Sequence, residues 1–273
     1  MPTLARTYLF VPGNRPERFD KACAAGADAV IIDLEDAVPA EARDAARDAV
    51  AAWLSPARPV FVRINAAGTP WFERDLGLCG RPGVAGIVLP KAERAEDIAR
   101  LELAGAKAVL PLIETALGIA NLRVLAEAAP VQRLLFGSID LRLDLGIEGD
   151  DEDALLMFRS QLVLASRLAS LPAPVEGVST AIDDAEQLRA DTQRARSLGF
   201  GAKLCIHPKQ LGPVGACFIP SAAELAWAQK VLEAAAASGG AAVSVDGRMI
   251  DRPVIERAQR IVDDAQKTGG PGA

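Results

Sequence analysis

The feature that most constrains the fold is a regular alternation of short apolar runs with longer amphipathic stretches. We predict eight strands from these runs: Thr7–Pro12, Ala29–Leu34, Pro59–Ile64, Val84–Leu89, Ala108–Ile113, Arg133–Phe136, Pro174–Val178 and Ala202–Ile206. Continuous apolar strands are typical of parallel sheets that helices cover on the outer face. Helices are predicted after the strands, except that a loop is expected between the sixth strand and a helix at Asp153–Ser170.

Eight strand–helix units in succession predict an α/β fold, a TIM (β/α)8 barrel, and the 273 residues suit that architecture. An open doubly wound sheet is the alternative, but it would carry a glycine-rich phosphate loop after the first strand. That position has VPGNRPER, with neither GxGxxG nor a Walker lysine. We predict a catalytic barrel at residues 1–220 and a C-terminal helical or lid extension at residues 221–273. The extension contains helices at Ser221–Ser238 and Val254–Gln266, with a short strand and a turn around Asp246-Gly247.

Composition argues against several classes of function. The net charge is −6 and no basic run is long, which argues against a nucleic-acid surface. No apolar stretch approaches the ~20 residues of a membrane span, and the N-terminus has no signal-peptide pattern, so we expect a cytoplasmic protein. Four cysteines without metal-binding spacing are expected to be reduced packing residues. A single histidine argues against a histidine-rich metal site or a Ser-His-Asp triad.

Polar side chains occur where the predicted strands end. In a barrel, the carboxyl ends of the strands meet at one mouth, where active sites are built. A charged group there requires a partner, a metal or a substrate, because burying it alone is costly. The residues at these positions are Asp33, Glu35, Asp36, Arg63, Asn65, Lys91, Glu114, Asp140 and His207.

Glu114 and Asp140 are the best candidates for metal ligands. They follow neighbouring strands, and two carboxylates completed by water and substrate oxygens match Mg²⁺. The alternative is structural: both carboxylates would cap helix N-termini or pair with Arg63 or Lys91.

Arg63 ends the run VFVRIN, and its guanidinium could hold a carboxylate or stabilise an enolate oxygen. A structural ion pair to Asp33 or Asp36 is the alternative. His207 is either a base or, more commonly, a packing residue. Basic side chains within Asn14–Lys21 could meet phosphates, although an exposed helix face of mixed charge is the common alternative.

Seven of these stretches together resemble one family. YLFVPGNRPERF, AVIIDLEDAV, VFVRIN, GIVLPKAE, LPLIET, FGSIDL and LCIHPKQ are similar, in order and spacing, to the CitE-like branch of the HpcH/HpaI aldolase superfamily. The resemblance covers nearly the whole chain, including VDGRMIDRPVIERAQRIV near its end. It implies a magnesium-dependent carbon–carbon lyase that cleaves or forms a 3-hydroxyacyl-CoA, such as malyl- or citramalyl-CoA, yielding an acyl-CoA and a 2-oxoacid.

The resemblance also implies roles for individual residues. Glu114 and Asp140 would hold Mg²⁺, and Arg63 would contact the carboxylate or enolate of the substrate. The chain departs from the family at Ile139, where many relatives carry a second acidic residue before the metal-binding aspartate. That change bears on the surroundings of the metal and on substrate preference rather than on the metal itself.

Asp251 is implied to be the catalytic acid/base, because it matches the aspartate of the family's GxMID motif. It follows the glycine break Gly239-Gly240, and in relatives it reaches the site of a neighbouring subunit. We therefore expect a homo-oligomer, a trimer, with sites completed in trans. Phe10 and Lys21 match positions that meet the substrate or CoA, and His207 lies in a loop lining the site.

Two alternative functions stay open. The first is a citrate lyase β-subunit, which acts on a citryl group carried by an acyl-carrier protein. The retained GRMID segment favours a stand-alone CoA enzyme over that alternative. The second is a non-catalytic barrel that binds an oxoacid or CoA, and the presence of Asp251 argues against it.

Overall fold

The computed structural model describes residues 5–149, 151–237, 243–245 and 248–268. Eight parallel strands close into a barrel, because β1 pairs with both β2 and β8. The strands are β1 (Thr7–Pro12), β2 (Ala29–Asp33), β3 (Val60–Arg63), β4 (Val84–Leu89), β5 (Val109–Ile113), β6 (Leu135–Phe136), β7 (Val175–Glu176) and β8 (Ala202–Cys205). The prediction of an α/β barrel is therefore confirmed.

Helices follow the strands and cover the barrel. They are α1 (Phe19–Cys23), α2 (Arg43–Trp53), α3 (Phe72–Asp75), α4 (Ala95–Leu103), α5 (Ala116–Ala120), α6 (Leu122–Glu127), α7 (Ser138–Leu145), α8 (Leu156–Leu168), α9 (Ala185–Leu198) and α10 (Leu211–Cys217). The loop predicted after β6 was wrong, because α7 begins there. Its sequence, SIDLRLDL, alternates apolar and polar residues, which is the period of a strand rather than of a helix. Two glycines and a proline obscure the helical pattern of α10, whose sequence is LGPVGAC.

The interior of the barrel is a packed apolar core. Its buried side chains are Tyr8, Ile31, Val88, Leu110, Leu112, Leu135, Val175, Ala202 and Leu204. Because successive side chains of a strand point to opposite faces, the residues beside these inward-facing ones point outward. Glu176 and Lys203 therefore lie on the outer face of β7 and β8, beneath the helices.

The barrel unit comprises residues Ala5–Gly215, and the chain from Ala216 onward belongs to a second compact unit. That unit contains α11 (Ala222–Ala237), the antiparallel pair β9 (Val243–Val245) and β10 (Arg248–Ile250), and α12 (Arg252–Thr268). Its described core includes Ala228, Val231, Ile250 and Ala258. The predicted turn at Asp246-Gly247 and the break at Gly239-Gly240 lie outside the described residues. No helix in the described ranges is long and apolar enough to cross a membrane.

Candidate functional site

A cavity of about 390 Å³ opens at the carboxyl ends of the strands, and we call it the mouth cavity. Its wall is apolar over much of its area, with Phe10, Leu112 and Leu204 among the lining residues. Its charged lining residues are Asp33, Asp36, Arg63, Glu114 and Asp140. Five of the nine strand-end positions singled out in the sequence therefore line one space.

Arg63 is held by carboxylates on three sides. Its Nε and Nη2 donate to the two oxygens of Asp33 at 2.7 and 2.6 Å, and Nη1 lies 3.1 Å from Asp36 and 3.2 Å from Glu35. Burial alone would lower the pKa of Arg63, but these carboxylates outweigh it and keep the pKa above its ordinary value. The structure thus contains the ion pair to Asp33 that the sequence left open as an alternative.

Glu114 follows β5 and is only 2% exposed. Its Oε1 accepts a hydrogen bond of 2.8 Å from the backbone N–H of Lys91. A Cβ atom at Gly137 would collide with the Glu114 carboxylate, so only glycine fits there. Burial, followed by the charges of Glu35 and Asp140, raises the pKa of Glu114 to about 8. In the absence of a cation, this site therefore disfavours the ionised form that a metal ligand requires.

Lys91 links the carboxylates that follow β2, β5 and β6. Its Nζ lies 2.8 Å from Glu35 Oε1, 3.3 Å from Asp140 Oδ1 and 4.0 Å from Glu114 Oε1. Its φ of +46° places it in the left-handed region, which is uncommon for a residue other than glycine and is often found at functional sites. Glu35 and Lys91 were predicted to lie at strand ends but were not assigned to the site. Their position after apolar strands was the available signal.

The charges at the mouth do not cancel. The five carboxylates of Asp33, Glu35, Asp36, Glu114 and Asp140 face the two cations Arg63 and Lys91, so the net charge is −3 when all are ionised (2 − 5). Hard carboxylate oxygens on neighbouring elements fit a divalent cation such as Mg²⁺. Two of these carboxylates, Glu35 and Glu114, are buried, and burial raises the pKa of each. Within the described ranges, no cluster of three or more His, Cys, Asp or Glu side chains is arranged to hold a metal. Two carboxylates completed by water and substrate oxygens are the donor set that fits.

The remaining predicted residues of the barrel occupy different surroundings. Phe10 lines the mouth cavity, and its ring lies 4.8 Å from the Arg63 guanidinium carbon. Lys21 is exposed on α1 and does not line the cavity. His207 Nδ1 accepts the backbone N–H of Lys209 at 3.1 Å and caps a short 3₁₀ turn. His207 thus makes a structural contact, and its substrate-binding role stays a prediction.

Asp251 belongs to the second unit and directly precedes α12. Its Oδ1 accepts the backbone N–H of Val254 at 3.3 Å, as an N-cap residue does. This position therefore has a structural use for a side-chain oxygen, which the sequence analysis did not identify.

The closed eight-stranded barrel has its carboxylate cluster at the carboxyl ends of the strands, which is where TIM-barrel enzymes have their active sites. The chain belongs to the HpcH/HpaI aldolase/citrate lyase family, whose model matches residues 6–208. This is a magnesium-dependent lyase and aldolase superfamily, and the resemblance noted in the sequence is confirmed.

Individual relatives cover nearly the whole chain. A citrate lyase subunit beta-like protein from Deinococcus radiodurans is 39% identical, over 96% of this chain and 97% of the relative. A (3S)-malyl-CoA thioesterase from Cereibacter sphaeroides is 33% identical, over 96% and 94%. The crystal structure of CitE from Mycobacterium tuberculosis in complex with magnesium, acetoacetate and coenzyme A has a TM-score of 0.87 and 36% identity, and the match covers 97% of this chain and 100% of that one. The magnesium in that structure is consistent with the cofactor predicted from the sequence.

Proposed function

We propose that the protein is a Mg²⁺-dependent lyase that cleaves or forms a 3-hydroxyacyl-CoA, such as malyl-CoA, citramalyl-CoA or a related ester. The products of cleavage are an acyl-CoA and a 2-oxoacid. The observation that carries the proposal is the excess of carboxylates over cations at the mouth, five against two, where burial raises the pKa of Glu114 to about 8. An anionic substrate can approach such a cluster only when a cation offsets it. The magnesium, acetoacetate and coenzyme A bound by a relative of 36% identity support the same conclusion.

Glu114 and Asp140 would hold the metal. When bound, Mg²⁺ supplies Lewis acidity toward the oxygens of the oxoacid half of the substrate. Around this pair, Lys91 contributes its backbone N–H to Glu114 and its ammonium to Glu35 and Asp140. We therefore assign Lys91 and Glu35 to positioning the carboxylates.

Arg63 would stabilise negative charge that develops on the thioester oxygen. Two of its nitrogens are fixed on Asp33. Nη1 donates to Asp36, whose side chain is 53% exposed, and lies 3.2 Å from Glu35 without hydrogen-bond geometry. An exposed carboxylate is the partner most readily exchanged for a substrate oxygen. We therefore assign Nη1 to the contact with the thioester oxygen. A donor fixed before the charge forms needs little reorganisation, and this is the basis of oxyanion stabilisation.

The apolar wall serves the same reaction by excluding water. Phe10, Leu112 and Leu204 form part of this wall, close to the charged groups. A cavity poor in water strengthens electrostatic interactions inside it and protects a carbanionic intermediate from unwanted protonation.

Asp251 is the proposed acid/base that moves the proton to or from the enolate carbon. We further propose that the protein is a homotrimer in which this residue completes the site of a neighbouring subunit. The support is the match of GRMID to the family motif.

A screen of acyl-CoA esters tests this function. Purified protein is incubated with malyl-, citramalyl- and related CoA esters with and without Mg²⁺, and free CoA, acyl-CoA and oxoacid are measured separately. The proposal expects acyl-CoA and oxoacid in equal amounts, only when Mg²⁺ is present. If no ester is cleaved, or if cleavage is unaffected by EDTA, the proposal is wrong.

Thioester hydrolysis is a second candidate, favoured by the 33% identity to a (3S)-malyl-CoA thioesterase. In the same screen it would release free CoA together with the intact hydroxy acid.

A citrate lyase β-subunit would give a different result. A pull-down would recover an acyl-carrier protein, and free CoA esters would stay uncleaved.

A further inference from the structure

A second cavity, of about 500 Å³, adjoins the mouth cavity, and we call it the outer cavity. It lies on the outer face of β7 and β8, against α7, α8 and α9. Ser138, Ile139 and Val178 line both cavities and form the wall between them. The charged residues that line the outer cavity are Arg142, Glu152, Arg159, Glu176, Asp191, Arg194 and Lys203. These are four cations and three anions, and Asp153, the partner of Arg194 outside the cavity, brings the total to zero, in contrast to the excess of carboxylates at the mouth.

Most of these charges are already paired. Arg159 donates to both oxygens of Glu176, at 2.9 and 3.2 Å, and to Glu152 at 2.5 Å. Arg142 also donates to Glu152, at 3.1 Å. These two arginines and two glutamates therefore form one ion-pair network that needs no ligand.

Arg194 and Asp191 also have partners. Arg194 pairs with Asp153, which does not line the cavity. The two carboxylate oxygens of Asp191 accept from Ser179 at 2.8 Å and from Gln187 at 2.7 Å. Both side chains therefore already have hydrogen-bond or ion-pair partners.

Lys203 is different. It is 3% exposed, and its ammonium donates to the backbone carbonyl of Gly177 at 2.8 Å. In the part of the chain that the structure describes, no carboxylate lies within 4.0 Å of this ammonium. Burial lowers the pKa of Lys203, as expected for a cation without a close counter-ion. An ammonium has three N–H donors, so two remain for a ligand that occupies the cavity.

We propose that the outer cavity binds a small organic carboxylate, whose oxygens accept from the Lys203 ammonium. A single negative charge matches Lys203, the one lining cation without a carboxylate within 4.0 Å among the described residues, whereas a doubly charged anion would be repelled by Glu152, Glu176 and Asp191. Ile139 and Val178 supply apolar surface for the carbon part of the ligand. The site is separate from the proposed metal ligands and does not depend on the proposed reaction.

Calorimetric titration of the metal-free full-length protein, in EDTA, tests this site with pyruvate, acetate and inorganic phosphate. We expect the carboxylates to bind wild type, and Lys203→Met to weaken binding by about tenfold or more, as for loss of a charged hydrogen bond. Lys107→Met removes the same charge from an exposed position and should bind like wild type. Thr180→Trp, at the exposed rim of the cavity, should block binding while leaving Lys203 intact, and it serves as the test if Lys203→Met does not fold.

Several outcomes would overturn the proposal. One is failure of wild type to bind either carboxylate, and another is unchanged binding by both Lys203→Met and Thr180→Trp. Phosphate binding as tight as carboxylate binding would contradict the assigned ligand class. Loss of binding in Arg63→Ala, with Lys203→Met unaffected, would place the carboxylate in the mouth cavity instead.

Discussion

The two cavities share a wall but differ in how the charges around them are balanced. At the mouth, five carboxylates surround Arg63 and Lys91, and Glu114 is left with a pKa raised to about 8. In the outer cavity, Arg159 and Glu176 are both buried and are matched to each other. A matched pair stabilises its own surroundings, whereas an unmatched cluster depends on a ligand of opposite charge. We therefore expect the mouth to depend on a bound cation, whereas the network around Arg159 needs no ligand.

The largest effect is expected from the metal ligands. Glu114→Gln or Asp140→Asn should abolish Mg²⁺-dependent turnover while the thermal stability of the metal-free protein is kept or raised, because each change removes one acidic group from a cluster in which carboxylates outnumber cations. Turnover with Mg²⁺ and a thermal melt in EDTA measure the two effects. If either variant keeps wild-type turnover, or if EDTA leaves wild-type turnover intact, the mouth does not hold a catalytic metal.

Asp251→Asn should lower turnover by about 10²–10⁴-fold, the scale of a general acid/base, without changing Mg²⁺ affinity. Asparagine caps helices about as well as aspartate, so the contact to Val254 should persist and stability should stay the same. Asp251→Ala removes both the acid and the cap, and the two variants together separate chemistry from capping.

The shared site can be tested by complementation. Asp251→Asn mixed with Arg63→Ala under subunit exchange should recover part of the activity, because some sites would then contain both native residues. A monomer in solution, or no recovery despite verified exchange, would contradict the trimer with sites completed in trans.

The outer network should respond in stability rather than in chemistry. Glu176→Gln leaves the buried Arg159 with Glu152 as its remaining carboxylate, and breaking a buried pair typically costs up to about 3–5 kcal/mol. Denaturant unfolding measures the loss, with Glu73→Gln as a control at an exposed ion pair. Unchanged stability in Glu176→Gln would show that the two cavities do not differ in the way described.

Arg63→Lys should lower turnover by about 10²-fold, the scale for one donor to developing charge. Lysine cannot reproduce the two parallel hydrogen bonds to Asp33, so the remaining donor would also lose its position. Steady-state kinetics decides the role: a change confined to KM, with kcat preserved, would make Arg63 a substrate anchor.

The features that could be predicted from the sequence are those that depend on a local pattern of residues. Buried parallel strands are mostly apolar, so all eight were found, and polar residues at their ends marked the mouth. The period-2 alternation of SIDLRLDL concealed α7, and no local pattern indicates that Lys91 adopts a left-handed conformation and directs its N–H to Glu114. The partner of Arg63 depends on the register of β2 and β3, which places Asp33 beside it. Contacts between distant segments are thus the part that sequence alone left open.

The smallest effect concerns the pH dependence of metal binding. The pKa of Glu114 is raised from 4.5 to about 8, mainly by burial, in the metal-free protein. The folded chain therefore binds more protons than the unfolded chain between these values, and this group makes the metal-free protein less stable as pH rises through that interval. A metal ligand must be ionised, so Mg²⁺ binding should release a proton below about pH 8.

Mg²⁺ affinity should consequently rise with pH, by up to about tenfold per unit for one released proton, and level off above about pH 8. Calorimetry in two buffers with different ionisation enthalpies measures both the affinity and the released proton. Glu114→Gln should bind more weakly and should lose most of this dependence, because glutamine does not titrate. If the Mg²⁺ affinity of wild type is constant between pH 6 and pH 8, Glu114 is not the group that is protonated in the metal-free protein. The contrast with the outer cavity would then depend on the remaining carboxylates at the mouth.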